Sequence, residues 1–220
     1  MPQGKPMDVK IIPTVFVHDQ TALEDRLELY EAITDKVQLD AADSEFTTQP
    51  TLEIDRLVEQ ATTLDRELHL MVNEPAEWLE LAAENAIDTV IGQIEMMSNQ
   101  GEFIETAKSL GLKAGLAIDL ETDLNDLDWE VAKTADQLLV MTIRAGKEGQ
   151  KLNHRGLDKI KSLRQKGYQG IIGVDGGVNE KTVKACVTAG ANSLAVGSAL
   201  WKAEDAVGEF KKLTDLANSL

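Results

Sequence analysis

The stretch "GIIGVDGGV", residues 170–178, decides how this chain is read. A short apolar run ends in an aspartate and two glycines, and a helical pattern follows near 179–189. Strand side chains alternate faces, so Ile172 and Val174 share one face and Gly173 and Asp175 the other. The same grammar recurs in both directions. Apolar runs stand at 9–16 ("VKIIPTVF"), 36–40 ("KVQLD"), 67–72 ("ELHLMV"), 88–94 ("DTVIGQI"), 113–119 ("KAGLAID"), 137–143 ("QLLVMTI"), 170–175 and 193–198 ("SLAVGS"). Helix-like segments lie near 20–34, 53–64, 76–86, 98–110, 127–134, 156–166, 179–189 and 203–218. Strand-then-helix units imply parallel strands with helical crossovers. Eight of them is the number that closes into an α/β (β/α)8 TIM barrel. An open doubly wound sheet is the alternative; it usually has fewer strands, and no Gly-rich dinucleotide turn follows the first run.

Local signals mark the helix boundaries. Asp19 and Asn179 are candidate caps of the first and seventh helices, Pro75 suits a first turn, and Gly111 and Gly190 fall where chains leave helices. No linker divides the chain, so residues 1–220 read as one barrel domain, with 1–7 as a flexible tail. The formal net charge of −16 argues against nucleic acid and against anionic membranes as partners. An anionic substrate would need a local positive field. No run approaches the ~20 apolar residues of a membrane span, and "MPQGKPMDVK" lacks a signal-peptide core, so a cytoplasmic protein is expected. The lone Cys186, in "VKACVTAGA", reads as a small buried side chain.

Barrel active sites lie at the C-terminal ends of the strands. In "VQLDAAD" (37–43), Val37, Leu39 and Ala41 share one face and Gln38 and Asp40 the other. In "ELHLMV", His69 and Met71 lie opposite Leu68, Leu70 and Val72. With the apolar faces on the helices, Gln38, Asp40, His69 and Asp175 surround one axis. Buried carboxylates and imidazoles need partners. A divalent cation is one partner; a hydrogen-bonded polar cluster is the other. At the last two units, "VDGGV" (174–178) and "AVGSALW" (195–201) bring small residues to a strand end. Backbone N–H groups there can approach a phosphate through Gly176, Gly177, Gly197 and Ser198; the alternative is a pair of tight turns.

Together these motifs resemble the ribulose-phosphate 3-epimerase family over about 10–201. His69-Leu70-Met71, "LLVMTIRAGKEGQ" (138–150), "VDGGV" and "GANSLAVGSALW" carry the resemblance. It implies epimerisation of a pentulose phosphate through an enediolate. Asp40 and Asp175 would transfer the protons, and a divalent metal (Zn, Fe, Mn or Mg) would be held by Asp40, His69, Asp175 and the position of Gln38. It also implies phosphate contacts at Gly146 and Gly149 and substrate contacts at Thr14, Met71 and Met141, and it suggests a homo-oligomer.

The departures cluster at the site. The second-strand His-x-Asp-x-Met-Asp-Gly is "QLDAADS", a fourth-strand histidine is Gln93, and Asn-Pro-Gly-Phe-Gly-Gly is Arg144–Gly149. A glutamine oxygen is a weaker ligand than imidazole for zinc-like metals, so weakened binding or an oxygen-preferring metal is expected. Arg144 and Lys147 are candidate cations for an anionic group. Two other functions remain open. One is another phosphosugar activity, of lyase or decarboxylase type, which the lack of a lysine between Asp40 and Asp43 counts against. The other is a non-catalytic phosphosugar-binding protein.

Overall fold

In a computed structural model, which describes residues 8–147 and 149–219, parallel strands close into a barrel in the order β1 to β8. The strands are β1 Lys10–Val15, β2 Lys36–Ala42, β3 Asp65–Met71, β4 Thr89–Gln93, β5 Lys113–Ile118, β6 Gln137–Met141, β7 Ile171–Asp175 and β8 Ser193–Val196. The helices are α1 Gln20–Glu31, α2 Ile54–Glu59, α3 Leu79–Glu84, α4 Gln100–Ser109, α5 Trp129–Ala132, α6 His154–Gln165, α7 Val183–Ala189, α8 Ser198–Trp201 and α9 Ala206–Ala217. Each run read as a strand is one. The expected tail at 1–7 and Glu148 of the loop after β6 lie outside the described residues. No helix among the described residues is long and apolar enough to cross a membrane.

Two apolar layers follow from the period-2 pattern. Val37, Leu39, Ala41, Leu68, Leu70, Ile172 and Val174 pack outward with helix residues such as Leu27, Leu57 and Ile160. Met71, Ile91, Ala117, Leu139 and Met141 form a second cluster inside the barrel. The inward face is otherwise polar: Gln38, Asp40, Glu67, His69, Thr89, Gln93 and Gln137 are all buried. Lys36 closes one side of the lower barrel, its Nζ 2.9 Å from Glu67. Cys186 is fully buried, which pushes its thiol up to about 12.

Local chemistry sets the helix ends. Asp19 caps α1 by accepting from the Ala22 N–H at 2.9 Å, and Gly190 ends α7 at φ 111°. Asn179 does not cap α7. That helix starts at Val183, and Asn179 instead makes a turn four residues earlier, accepting from the Lys181 N–H at 2.9 Å. Pro75 opens a 3-10 turn, Pro75–Trp78, ahead of α3. α8, following directly on Gly197, has no counterpart in the sequence reading, because its four residues are too few for a periodic pattern.

Candidate active site

The register of the sheet brings the inward polar residues together. Asp40 of β2 pairs with His69 of β3, Gln38 lies beside Thr14 of β1, and Asp175 of β7 lies beside Met141 of β6. The Gln38 amide bridges the two carboxylates. Its Nε2 donates to Asp40 Oδ1 and to Asp175 Oδ2, both at 2.7 Å. His69 Nδ1 is 3.1 Å from Asp40 Oδ1 and 3.7 Å from Asp175 Oδ2. Behind the ring, Gln93 Nε2 is 3.1 Å from His69 Nε2. Gln38, His69 and Gln93 are fully buried, while the Asp175 side chain is 15% exposed. The carboxylates therefore face the opening, and the amides and imidazole stand behind them.

Burial holds His69 below the ordinary imidazole range, against the opposing pull of Asp175, Glu67, Glu95 and Asp119. A neutral ring carries one N–H. With Nε2 accepting from Gln93, that proton sits on Nδ1 and is donated to Asp40. The His69–Asp40 contact is then a hydrogen bond of a neutral ring, not an ion pair. Two acceptors are left over: Gln38 Oε1 and Gln93 Oε1 are buried without a hydrogen-bond partner. Such a group costs ~1–3 kcal/mol.

The donor set suits a divalent cation in part. Asp40, His69 and Asp175 each offer one ligand atom, and these atoms lie within 4.8 Å of one another. Two carboxylates and an imidazole are a fitting set. Gln38 turns its nitrogen rather than its oxygen toward them.

Above the carboxylates lies a cavity of about 260 Å³. Thr14, Met71 and Met141 line it with Asp40 and Asp175, as do Gly146, Lys147 and Gly149 after β6, Gly176 and Gly177 after β7, and Gly197 and Ser198 after β8. Gln38 and His69 sit beneath this lining. Arg144 is exposed and is not part of it; its carbonyl accepts from Gln150 Nε2 at 2.8 Å. Among the described residues, Lys147 is the one cation that lines the cavity.

Two glycines are required by shape. Gly176 and Gly177 have φ of 110° and 69°, the left-handed region that side chains avoid. A Cβ on Gly177 would lie 2.4 Å from the Leu152 nitrogen, and one on Gly176 2.3 Å from Ile143 Cγ1. The sequence reading missed Phe16, Ile143 and Asn179, which also line the cavity. Apolar or turn-forming residues at strand ends carry no signal that separates lining from packing.

The loop after β2 meets the loop after β6. Thr47 Oγ1 donates to the Gly146 carbonyl at 2.8 Å, and Phe46 packs on the inner apolar cluster. Asp43 holds this loop. Its Oδ1 accepts from the Glu45 and Phe46 N–H groups at 3.0 and 2.7 Å, and its Oδ2 from the Asn73 N–H at 2.8 Å. An aspartate just past a strand end, with N–H groups two and three residues on, is a turn signal readable in advance.

The profile of the ribulose-phosphate 3-epimerase family matches residues 10–201. The chain belongs to that family. Ribulose-phosphate 3-epimerase of Bacillus subtilis is 30% identical over 207 residues, covering 90% of this chain and 94% of the relative. The protein of the same name from Chlamydia muridarum is 28% identical, covering 95% of each chain. Among solved structures, 3-hexulose-6-phosphate synthase from Salmonella typhimurium aligns with a TM-score of 0.69 at 18% identity, over 96% of this chain and 99% of the other. That likeness speaks for the barrel alone. Within the family frame, Gln38 and Gln93 become the features to explain, since both touch the Asp40–His69–Asp175 cluster.

Proposed function

We propose that this protein is a pentulose-phosphate 3-epimerase that works with Asp40 and Asp175 as its proton-transfer pair. The observation that carries the reading is their placement. Both carboxylates line one cavity, and a single amide nitrogen spans the space between them. A substrate carbon seated there has one carboxylate on either side.

In this mechanism the glycine-walled end of the cavity binds the phosphate through backbone N–H groups, with Lys147 adding charge. Asp40 removes the proton from carbon 3, and the electrons pass into the neighbouring carbonyl to give an enediolate. Asp175 returns a proton to the opposite face of carbon 3. Protonated Asp40 and ionised Asp175 then exchange roles for the reverse reaction. Asp40, His69 and Asp175 would hold a divalent cation, whose contribution when bound is Lewis-acid stabilisation of oxyanion charge. Thr14 and Met71 limit how the sugar can lie above the carboxylates.

Incubation with ribulose 5-phosphate in D₂O tests the reading. Deuterium should enter at carbon 3 as xylulose 5-phosphate appears. If the sugar phosphate binds but carbon 3 never exchanges, with or without added divalent cations, the protein is a binding protein and the epimerase reading falls.

A further inference from the structure

We propose that Gln38 and Gln93 are coupled amide rotors that decide whether the Asp40–His69–Asp175 cluster is closed by hydrogen bonds or open to a divalent cation. The inference rests on the metal-holding cluster of the proposed function. It concerns residues for which that function has no use.

In the arrangement observed, two of the four inward groups cannot be ligands. Gln38 turns Nε2 to the carboxylates, and an amide nitrogen offers a cation no lone pair. His69 turns Nδ1 to Asp40, and with Nε2 accepting from Gln93 the ring proton sits on Nδ1. The two N–H groups do the job of a cation by satisfying the carboxylates. The site is then complete without metal, apart from the partnerless oxygens of Gln38 and Gln93.

Those two oxygens define the other state. If Gln38 turns by half a revolution about its terminal bond, Oε1 faces the carboxylates, an arrangement that repels unless a cation lies between. For His69 to offer Nδ1 to that cation, its proton must move to Nε2. A buried Nε2–H then needs an acceptor, and Gln93 supplies one by turning Oε1 toward the ring. The opening therefore takes two amide rotations and one tautomer change, and none of the three makes sense alone. Because the fourth ligand is an amide oxygen, the open state favours oxygen-preferring cations such as Mg²⁺ or Mn²⁺ more than a second imidazole in that place would.

The state of His69 is the readout. In the H18Q/H154Q background, which removes the other two histidines, long-range ¹H–¹⁵N spectra of labelled protein report the ring alone. The metal-free protein should carry the proton on Nδ1, and saturating Mg²⁺ should move it to Nε2. Gln93→Leu, which lacks an acceptor, should weaken Mg²⁺ binding by calorimetry about 10- to 100-fold, as outer-shell losses commonly do. Gln93→Glu, a permanent acceptor, should put the proton on Nε2 before any metal is added. Gln38→His should raise Zn²⁺ affinity relative to Mg²⁺ at least ~10-fold. The proposal is overturned if the metal-free ring already carries its proton on Nε2, if Mg²⁺ binding leaves the tautomer unchanged, or if neither Mg²⁺ nor Mn²⁺ binds at all. Gln93→Glu with the proton still on Nδ1 overturns it too, so a Gln93→Leu protein that fails to fold does not shield it. None of these measurements needs substrate. Carbon-3 exchange with a fixed tautomer would sink the rotors and spare the epimerase; a moving tautomer without exchange would do the reverse.

Discussion

The two sides of the cavity are made of different materials. The floor side is made of side chains from β2, β3, β4 and β7: two carboxylates, an imidazole and two amides, each defined by what its neighbour donates or accepts. The other side, at the turn after β7, is made of backbone, with Gly176 and Gly177 packed so closely that a single Cβ would meet Ile143 or Leu152. Backbone geometry constrains sequence tightly, so positions 176 and 177 on this side suit glycine alone. A side-chain network can exchange one hydrogen-bonding solution for another, as Gln38 does by donating to both carboxylates from the position where the resemblance implies a metal ligand.

The largest expected effects lie on the side-chain side. Asp40→Asn and Asp175→Asn should each lower turnover about 10²- to 10⁴-fold, the usual loss for a general acid or base. Binding of the sugar phosphate should stay within about threefold, because the substitution keeps shape and leaves the phosphate loops alone. Carbon-3 exchange in D₂O and calorimetry with a pentulose phosphate measure the two quantities separately. Turnover retained in both variants would refute the roles assigned to these carboxylates.

The backbone side should fail in binding first. Gly177→Ala forces a side chain into φ 69° and onto the Leu152 nitrogen. Such strain costs ~1–3 kcal/mol, so the loop must shift. Affinity for the sugar phosphate and for inorganic phosphate should fall together by roughly 10-fold or more, the equivalent of ~1.4 kcal/mol. Equal affinity in the variant would mean that this turn does not cradle the phosphate.

What could be read in advance follows the same division. The period-2 alternation of "VQLDA" and "IIGVD" was enough to turn Asp40 and Asp175 inward, because each strand buries its other face against helices. The positive-φ positions at Gly176, Gly177 and Gly190 were readable as glycine turns, whereas those at Glu74 and Ala86 were not. The direction of the Gln38 amide was not, since residue type alone does not say which end of an amide meets two carboxylates. Nor was the split between Arg144 and Lys147, three residues apart on one loop, of which Lys147 lines the cavity. The turn at Asn179 was misread as a helix cap because Thr182, rather than Asn179, stands directly before the first helical residue. Side-chain direction in loops depends on contacts between distant segments, such as Thr47 with Gly146.

Asp43 joins the side-chain region to the loop above it and gives a smaller, structural test. Asp43→Ala removes the acceptor of three backbone N–H groups, so urea unfolding should show a loss of about 1–3 kcal/mol. Asp43→Asn, which keeps one carbonyl oxygen, should recover part of it. KM should rise in the alanine variant more than kcat falls, because the loop after β2 contacts the loop after β6 at Gly146, which lines the cavity. A kcat loss as large as that of Asp40→Asn would move Asp43 into the chemistry.

The smallest effect belongs to Lys147, and it tests whether side chains matter at the phosphate end at all. With a net charge of −16, the protein repels an anion at long range, and Lys147 is the one described cation lining the cavity. It is exposed, so water and salt screen it strongly. Lys147→Met should raise KM roughly two- to fivefold at low ionic strength, and the difference from wild type should shrink as salt is raised toward ~0.5 M. kcat should hold, since the carboxylates are untouched. If the deficit persists undiminished at high salt, Lys147 makes a desolvated contact with the substrate, and the phosphate end is not a purely backbone device. If no deficit is found at any salt, the glycine loops alone overcome the repulsion of the acidic surface.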